Sequence, residues 1–318
     1  MLSAVLWFRT NRTEHNYKLE DLYAAVPISR QAVAKMVQRQ SDKQSKETAL
    51  LAHVKELRQE HHPAIGCRKL YHVIQNSTEQ ASLLYFGRRK FEQLVIQNGL
   101  GSPLFKARYK HKSTKKQRFT NLLVDKVING TNQVWISDTT YFNLFNRWYY
   151  LTSVIDYYSR RVLAAHLSKG LSAEETSIAA LKKAIDYRGA GMIEGCIFHS
   201  DGGSQYSDAG FLAIIEQHKM VSSMARLVFE NTVSERFNGI FKQEYITLRP
   251  PQNEEQLEWL TDYAQWSFNK HRPHGALKYQ TPIGFETHQM ALDIIQRVCV
   301  SAWTLPSNKL EVETDTEV

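Results

Sequence analysis

The sequence predicts an α/β protein: a core built on a mixed five-stranded sheet flanked by helices, preceded by small all-α domains. Three observations carry this. Residues 19 to 100 read as a succession of helices. Residues 133 to 168 change to three β-rich, partly alternating runs separated by short polar breaks. Beyond them, helical and short apolar strand segments alternate, and a meander followed by such alternation gives a mixed sheet with helices on both faces. At about 100 to 200 residues per domain, a chain of 318 residues predicts two domains, with room for a small third.

Taken in order, "LEDLYAAVPISRQAVAKMVQRQ" (19 to 40) reads as a helix, a turn at "PIS" with Ser29 as N-cap, and a second helix carrying Arg30, Lys35 and Arg39. That is a helix-turn-helix outline, assigned to residues 1–45. After a polar helical connector, "GCRKLYHVIQN" and "FGRRKFEQLVIQNGL" repeat the two-helix outline within residues 46–105. Arg88, Arg89 and Lys90 open the last helix, where cations oppose the helix dipole and so call for a reason other than helix stability.

Seven of the thirteen residues from 106 to 118 are Lys or Arg, among them Lys106, Arg108, Lys110, Lys112, Lys115 and Lys116. Residues 106–120 therefore read as a basic linker. The α/β core follows at 121–290, and 291–318 is a C-terminal extension whose acidic tail has the composition of a disordered segment.

The formal net charge of +8 is unevenly spread. Residues 1 to 118 hold 22 Lys and Arg against 9 Asp and Glu, a net of +13, whereas 119 to 318 hold 18 against 23, a net of −5. The first third is suited to a polyanion through counterion release at phosphates, and charge alone does not separate DNA from RNA. Cys67, Cys196 and Cys299 are too scattered for a disulfide framework or a CxxC zinc site, which fits a reducing cytoplasm. The early apolar run within "MLSAVLWF" is too short to span a bilayer.

Two aspartates follow apolar strands: Asp138 after "VWIS" and Asp201 after "CIFHS", with two glycines next. Each on its own reads more readily as a turn-former than as a site residue. In the helix "ENTVSERFNGIFKQE" (230 to 244), Val233, Phe237, Ile240, Phe241 and Leu248 gather on one side, and Glu235, Asn238 and Lys242 on the other. Asp138, Asp201 and Glu235, at intervals of 63 and 34 residues, form a candidate three-carboxylate cluster. An all-oxygen set suits Mg²⁺ or Mn²⁺ rather than zinc, and two such ions serve both ends of an in-line phosphoryl displacement.

In order, the stretches "WISDTTY", "VIDYYSRRVL", "FHSDGGSQYSD", "SMAR", "ENTVSERFNGIFKQE" and "NKHRPHGAL" resemble the blocks of the DDE transposases of bacterial insertion sequences. The match is to the third insertion-sequence family's OrfB type, whose core is similar to retroviral integrase and has an RNase H-like fold. The resemblance implies that Asp138, Asp201 and Glu235 are catalytic and bind two metal ions, with Lys242 on the DNA. It also implies terminal inverted repeats and target DNA as partners, a homo-oligomer of at least two copies, an OrfA-type partner or fusion, and a bacterial cytoplasmic setting. Arg160, Arg161 and Arg272 are further candidate DNA contacts, and His199, Gln205 and Asn238 candidate supports of the carboxylates.

There are two departures from the family pattern. The interval from Asp201 to Glu235 is two residues short, the loss falling after Arg226, and Glu230 stands where the family has Asp. Glu230 is thus the alternative third ligand; Glu235 is preferred for its E-x-F and lysine spacing. A non-catalytic DNA-binding regulator and another RNase H-like nuclease are the competing readings.

Overall fold

The computed structural model describes residues 29–103, 118–225 and 231–301, with a few positions ahead of residue 29. They fall into two compact units: residues 1–60 with 65–102, and residues 61–64 with 103–318. No helix among the described residues is long and apolar enough to cross a membrane.

In the first unit, helix α1 (Arg30–Glu60) starts where Ser29 Oγ accepts a hydrogen bond from the Ala32 amide at 3.2 Å, the N-cap expected from the sequence. It runs through residues 45 and 46, where a boundary between two helical domains is expected. Nothing interrupts it, because no Pro or Gly occurs from 30 to 60 and side chains support each other across turns, as Gln38 does by donating to Asp42 at 2.7 Å. Pro63 then ends it. The preceding helix of the first helix-turn-helix outline lies mostly outside the described residues.

Helices α2 (Cys67–Gln75) and α3 (Arg88–Gln97) match the second outline. Leu70 and Ile74, like Phe91 and Val95, are spaced four apart, so each pair lies on one helix face; both pairs are fully buried with Leu50 and Val54. The connection between these helices, residues 76–87, is longer than a three- or four-residue helix-turn-helix turn and includes a short 3₁₀ segment, Ala81–Leu83.

The second unit holds the sheet. Strands β2 (Val134–Leu144), β3 (Arg147–Asp156) and β4 (Val162–Ser168) form an antiparallel meander, after the short β1 (Val127–Ile128). Phe145 and Asn146 both take positive φ, the backbone a two-residue hairpin requires. Strands β5 (Ile197–Ser200) and β6 (Val221–Met224) add in parallel to β2, giving the order β4-β3-β2-β5-β6. This is the mixed five-stranded sheet expected from the sequence.

Helices α4 (Ala179–Arg188) and α5 (Ala209–Gln217) cover one face of the sheet, packing with Trp135, Phe198 and Tyr206. Helices α6 (Thr232–Ile240) and α7 (Glu254–Lys270) cover the other, where Phe237, Ile240 and Phe241 meet Phe142 and Leu151. A π-helical stretch, Phe241–Thr247, follows α6 and shifts its register, so Leu248 is exposed rather than part of the apolar stripe. Helix α8 (Pro282–Met290) packs through Phe285. Strand β7 (Val300–Ser301) pairs with β1, which ties the start of the C-terminal extension to the core.

Buried charges join α8 to the sheet. Glu286 receives hydrogen bonds from Arg161 and Arg188, and Arg188 also lies 3.5 Å from the fully buried Asp156. Burial drives the Asp156 carboxyl upward, against the Arg188 charge and the amides of Asn132 and Ser159. Burial also works on Glu286, yet its hydrogen bonds from Arg188 and the neighbouring Arg161 charge hold it below the usual carboxylate range.

Candidate active site

β2 continues six residues past Asp138, so this aspartate lies inside a strand rather than at its end. The reason is that β3 pairs with β2 from Trp135 to Leu144, whereas β5 pairs with it only from Val134 to Ser137. Asp138 therefore marks the point where the parallel pairing stops. The last pair in register is Ser137 with Ser200, which puts Asp138 and Asp201 one step on, on adjacent strands about 4.8 Å apart. Alternation places both on the face covered by α6. The carboxyl ends of parallel strands, where the connections diverge to opposite sides, are where open α/β sheets form their ligand crevices.

Helix α6 supplies the rest. Asn238 Nδ2 donates to Asp138 Oδ2 at 2.9 Å, and Asn238 Oδ1 accepts from Ser153 Oγ at 3.3 Å. Asn231 Nδ2 donates to the Ser137 carbonyl at 3.0 Å, so the helix is stitched to β2 on both sides of its first two turns. Asn238 is buried, on the side of the helix that meets the sheet, and not on a solvated polar face. Glu235 lies one turn before it, exposed, in the first turn of the helix, where the dipole favours a carboxylate. Lys242 sits with its Nζ 5.6 Å from the ring centroid of Tyr141, three residues beyond Asp138 on β2.

Asp201 Oδ1 accepts from the Gly203 amide at 3.1 Å, an Asx turn that holds the carboxylate at the strand end. The Gln205 amide folds over Gly203, where an added Cβ would meet it at 2.6 Å. His199 is fully buried and bonds Ser223 Oγ on β6 at 2.9 Å. Burial pushes its pKa down to about 4, so it is neutral. Beneath the site, the buried Tyr206 hydroxyl contacts Ser137 Oγ at 2.8 Å. Its pKa is driven upward by burial and by the charges of Asp201 and Asp138, so it stays protonated.

Among the described residues, no three His, Cys, Asp or Glu side chains converge closely enough to surround one metal ion. Asp138 and Asp201 are adjacent, and Glu235 stands on the helix that faces them. Glu230, the alternative third ligand, lies outside the described residues.

The candidate DNA contacts divide into three groups. Arg30, Lys35, Arg88, Arg89 and Lys90 are exposed in the first unit, with Arg88 3.6 Å from Glu92 and Lys90 over the Phe86 ring at 5.1 Å. Lys106, Arg108, Lys110, Lys112, Lys115 and Lys116 lie outside the described residues. Arg160, Arg161 and Arg272 each have a partner within the protein. Arg160 stacks on Tyr157 at 4.2 Å, Arg161 binds Glu286 and Tyr187, and Arg272 is buried in a bidentate pair with Glu244 at 2.6 and 2.7 Å.

The neighbours of Arg272 in "NKHRPHGAL" also brace the fold. Asn269 bonds both backbone groups of Val162 at 2.8 Å, which holds α7 on the edge strand β4. His271 stacks on His61 at 4.0 Å, and its pKa is pushed down to about 4 by burial and by the nearby His61 and Lys270. A depressed histidine stabilises the fold above its ordinary value near 6.5, and that contribution is lost as pH falls from 6.5 to about 4, because the unfolded chain takes up the proton first. The urea midpoint is therefore expected to drop across that window, and the drop to shrink in His271→Asn; an equal drop in the variant would rule out His271 as its source.

Sequence reasoning missed Ser137, Ser153, Asn231 and Tyr206 as site residues. In the sequence Ser137 precedes Asp138, Tyr206 follows Asp201 by five positions, and nothing in the four residue types marks them as part of a site.

The chain is similar to several known proteins. Residues 129–227 and 228–282 each match a family described as "Integrase core domain". The chain is 25% identical over 262 residues to the transposase for insertion sequence element IS904 of Lactococcus lactis, covering 80% of this chain and 99% of that one. It is 30% identical over 165 residues to an uncharacterized 31 kDa protein of insertion element IS600 from Shigella sonnei, covering 50% and 60%. With the transposase InsF for insertion sequence IS3A of Escherichia coli it shares 29% over 170 residues, covering 52% and 58%. The chain thus spans about three-fifths of the length of the IS600 and InsF proteins. A solved structure, the HTLV-2 integrase catalytic core domain in complex with magnesium, matches with a TM-score of 0.40 and 21% identity over 49% of this chain and 97% of its own. Residues 129–282 of the chain thus match integrase core domains, and the chain is similar to transposases of bacterial insertion sequences.

Proposed function

We propose that the protein is an insertion-sequence transposase that binds the terminal inverted repeats of its element and catalyses DNA strand cleavage and strand transfer. The observation that supports this most is the meeting of Asp138 and Asp201 at the end of the parallel pairing, under a helix that bonds Asp138 through Asn238 and carries Glu235 one turn away.

The donor set fits Mg²⁺ or Mn²⁺: every candidate ligand is a carboxylate, and the neighbouring His199 is buried against Ser223. Asp138, Asp201 and Glu235 would hold two such ions, which supply activation of the attacking oxygen and stabilisation of the leaving oxygen in phosphoryl transfer. Asn238 orients the Asp138 carboxylate, the Gly203 amide orients Asp201, and Lys242 beside Tyr141 meets a phosphate of the DNA end.

Exposed Arg30, Lys35, Arg88, Arg89 and Lys90, with the basic run at 106–118, bind the repeats, and the protein acts in the bacterial cytoplasm as an oligomer of at least two copies, with an OrfA-type partner or fusion. Binding is then salt-sensitive, and each lost phosphate contact lowers the log–log salt slope by about 0.9.

Cleavage of a duplex ending in the terminal repeat is expected with Mg²⁺ or Mn²⁺, little with Ca²⁺, and none in excess EDTA. Undiminished cleavage in EDTA would sink the metal mechanism.

A further inference from the structure

We infer that Tyr206 is a positioning residue that sets the spacing of the two aspartates from the opposite face of the sheet. The inference rests on the function proposed above. Asp138 faces α6, so its strand neighbours Ser137 and Thr139 face the other way, into the layer of α4 and α5. There the Tyr206 hydroxyl bonds Ser137 Oγ at 2.8 Å and Thr139 Oγ1 at 3.4 Å, and Thr139 in turn bonds Thr152 on β3 at 3.0 Å.

The backbone of Tyr206 belongs to the short turn Ser204–Ser207, directly after the Asp201 loop. That turn is held from below, where Ser177 Oγ donates to the Gln205 carbonyl at 2.7 Å. One buried side chain therefore ties the loop that carries Asp201 to the strand residues on either side of Asp138. Its ring is wedged against Phe198 and Phe211, with centroids 6.1 and 5.7 Å away, so the hydroxyl has little freedom to move. β5 ends at Ser200, one residue before Asp201. The tyrosine adds a side-chain link between that loop and β2.

The test uses the full chain, with Mn²⁺ binding followed by the electron paramagnetic resonance signal of the free ion and, separately, the Mn²⁺ concentration for half-maximal cleavage. Tyr206→Phe keeps the ring and removes the hydroxyl. Loss of such an indirect support is expected to weaken Mn²⁺ binding on the order of 10-fold, with cleavage restored at saturating Mn²⁺. Ser137→Ala removes the partner hydroxyl and is expected to do the same, and the double variant to do no more than either alone. Should Tyr206→Phe fail to fold, Ser137→Ala carries the test. Tyr158→Phe is the control: it removes another buried tyrosine hydrogen bond, to Gln289 at 3.0 Å, away from the aspartates, and is expected to leave Mn²⁺ binding unchanged.

Unchanged Mn²⁺ affinity in both Tyr206→Phe and Ser137→Ala, alongside loss in Asp138→Asn, overturns the inference alone, as does an equal loss in Tyr158→Phe. If the wild-type protein shows no Mn²⁺ binding that depends on Asp138, the proposed function falls with it.

Discussion

Asp138→Asn, Asp201→Asn and Glu235→Gln are each expected to lower strand cleavage and strand transfer on the order of 10³-fold or more, with binding to terminal-repeat DNA within a few fold of wild type. The amides are nearly isosteric with the acids, so packing is kept and only charge is lost. In Asp138→Asn the new amide keeps the contact with Asn238 only by turning its oxygen to the position that accepts at 2.9 Å, because its nitrogen cannot accept. Effects of groups that act as a unit do not add, so a double variant is expected to be no worse than the poorer single one. Glu230→Gln is the companion variant. Near-wild-type cleavage by Glu235→Gln, with loss in Glu230→Gln, moves the third carboxylate to Glu230.

Arg272→Ala is expected to destabilise the catalytic unit by about 3 to 5 kcal/mol, the typical cost of leaving one partner of a buried ion pair alone. The guanidinium and the Glu244 carboxylate are 6% and 5% exposed and joined by two hydrogen bonds. Glu244 belongs to the π-helical stretch after α6, so the pair anchors the C-terminal end of the helix that carries Glu235. Replacing both partners with apolar residues, Arg272→Met with Glu244→Leu, is expected to recover most of the loss, since the uncompensated buried charge is then gone. Chemical unfolding followed by tryptophan fluorescence measures this. A stable Arg272→Ala protein with weakened DNA binding would reverse the assignment and return Arg272 to the DNA contacts.

Much of the core was legible from local pattern. Alternation over 133 to 168 encodes the three-stranded meander, and the Ser29 cap and the absence of Pro and Gly from 30 to 60 account for α1, which runs past the boundary expected at 45. The α6 stripe held for Phe237, Ile240 and Phe241, and failed at Leu248 because a π-helical turn changes the angle between residues. The polar residues after Asp138 suggest a strand end; pairing with β3 carries the strand on to Leu144.

By itself the sequence determined the fold class, the order of helical and β-rich parts and the charge split, and it singled out three candidate carboxylates. These depend on residue type and on spacing along a strand or helix, which are local properties. The tertiary structure alone decided what each polar side chain meets. Arg272 pairs with a carboxylate 28 positions away, Arg161 with one 125 positions away, and Asp138 with an amide 100 positions away. Whether an arginine is turned outward or held by a buried acid, and whether an asparagine faces water or an aspartate, follows from how distant elements pack, and no periodicity within one segment encodes it.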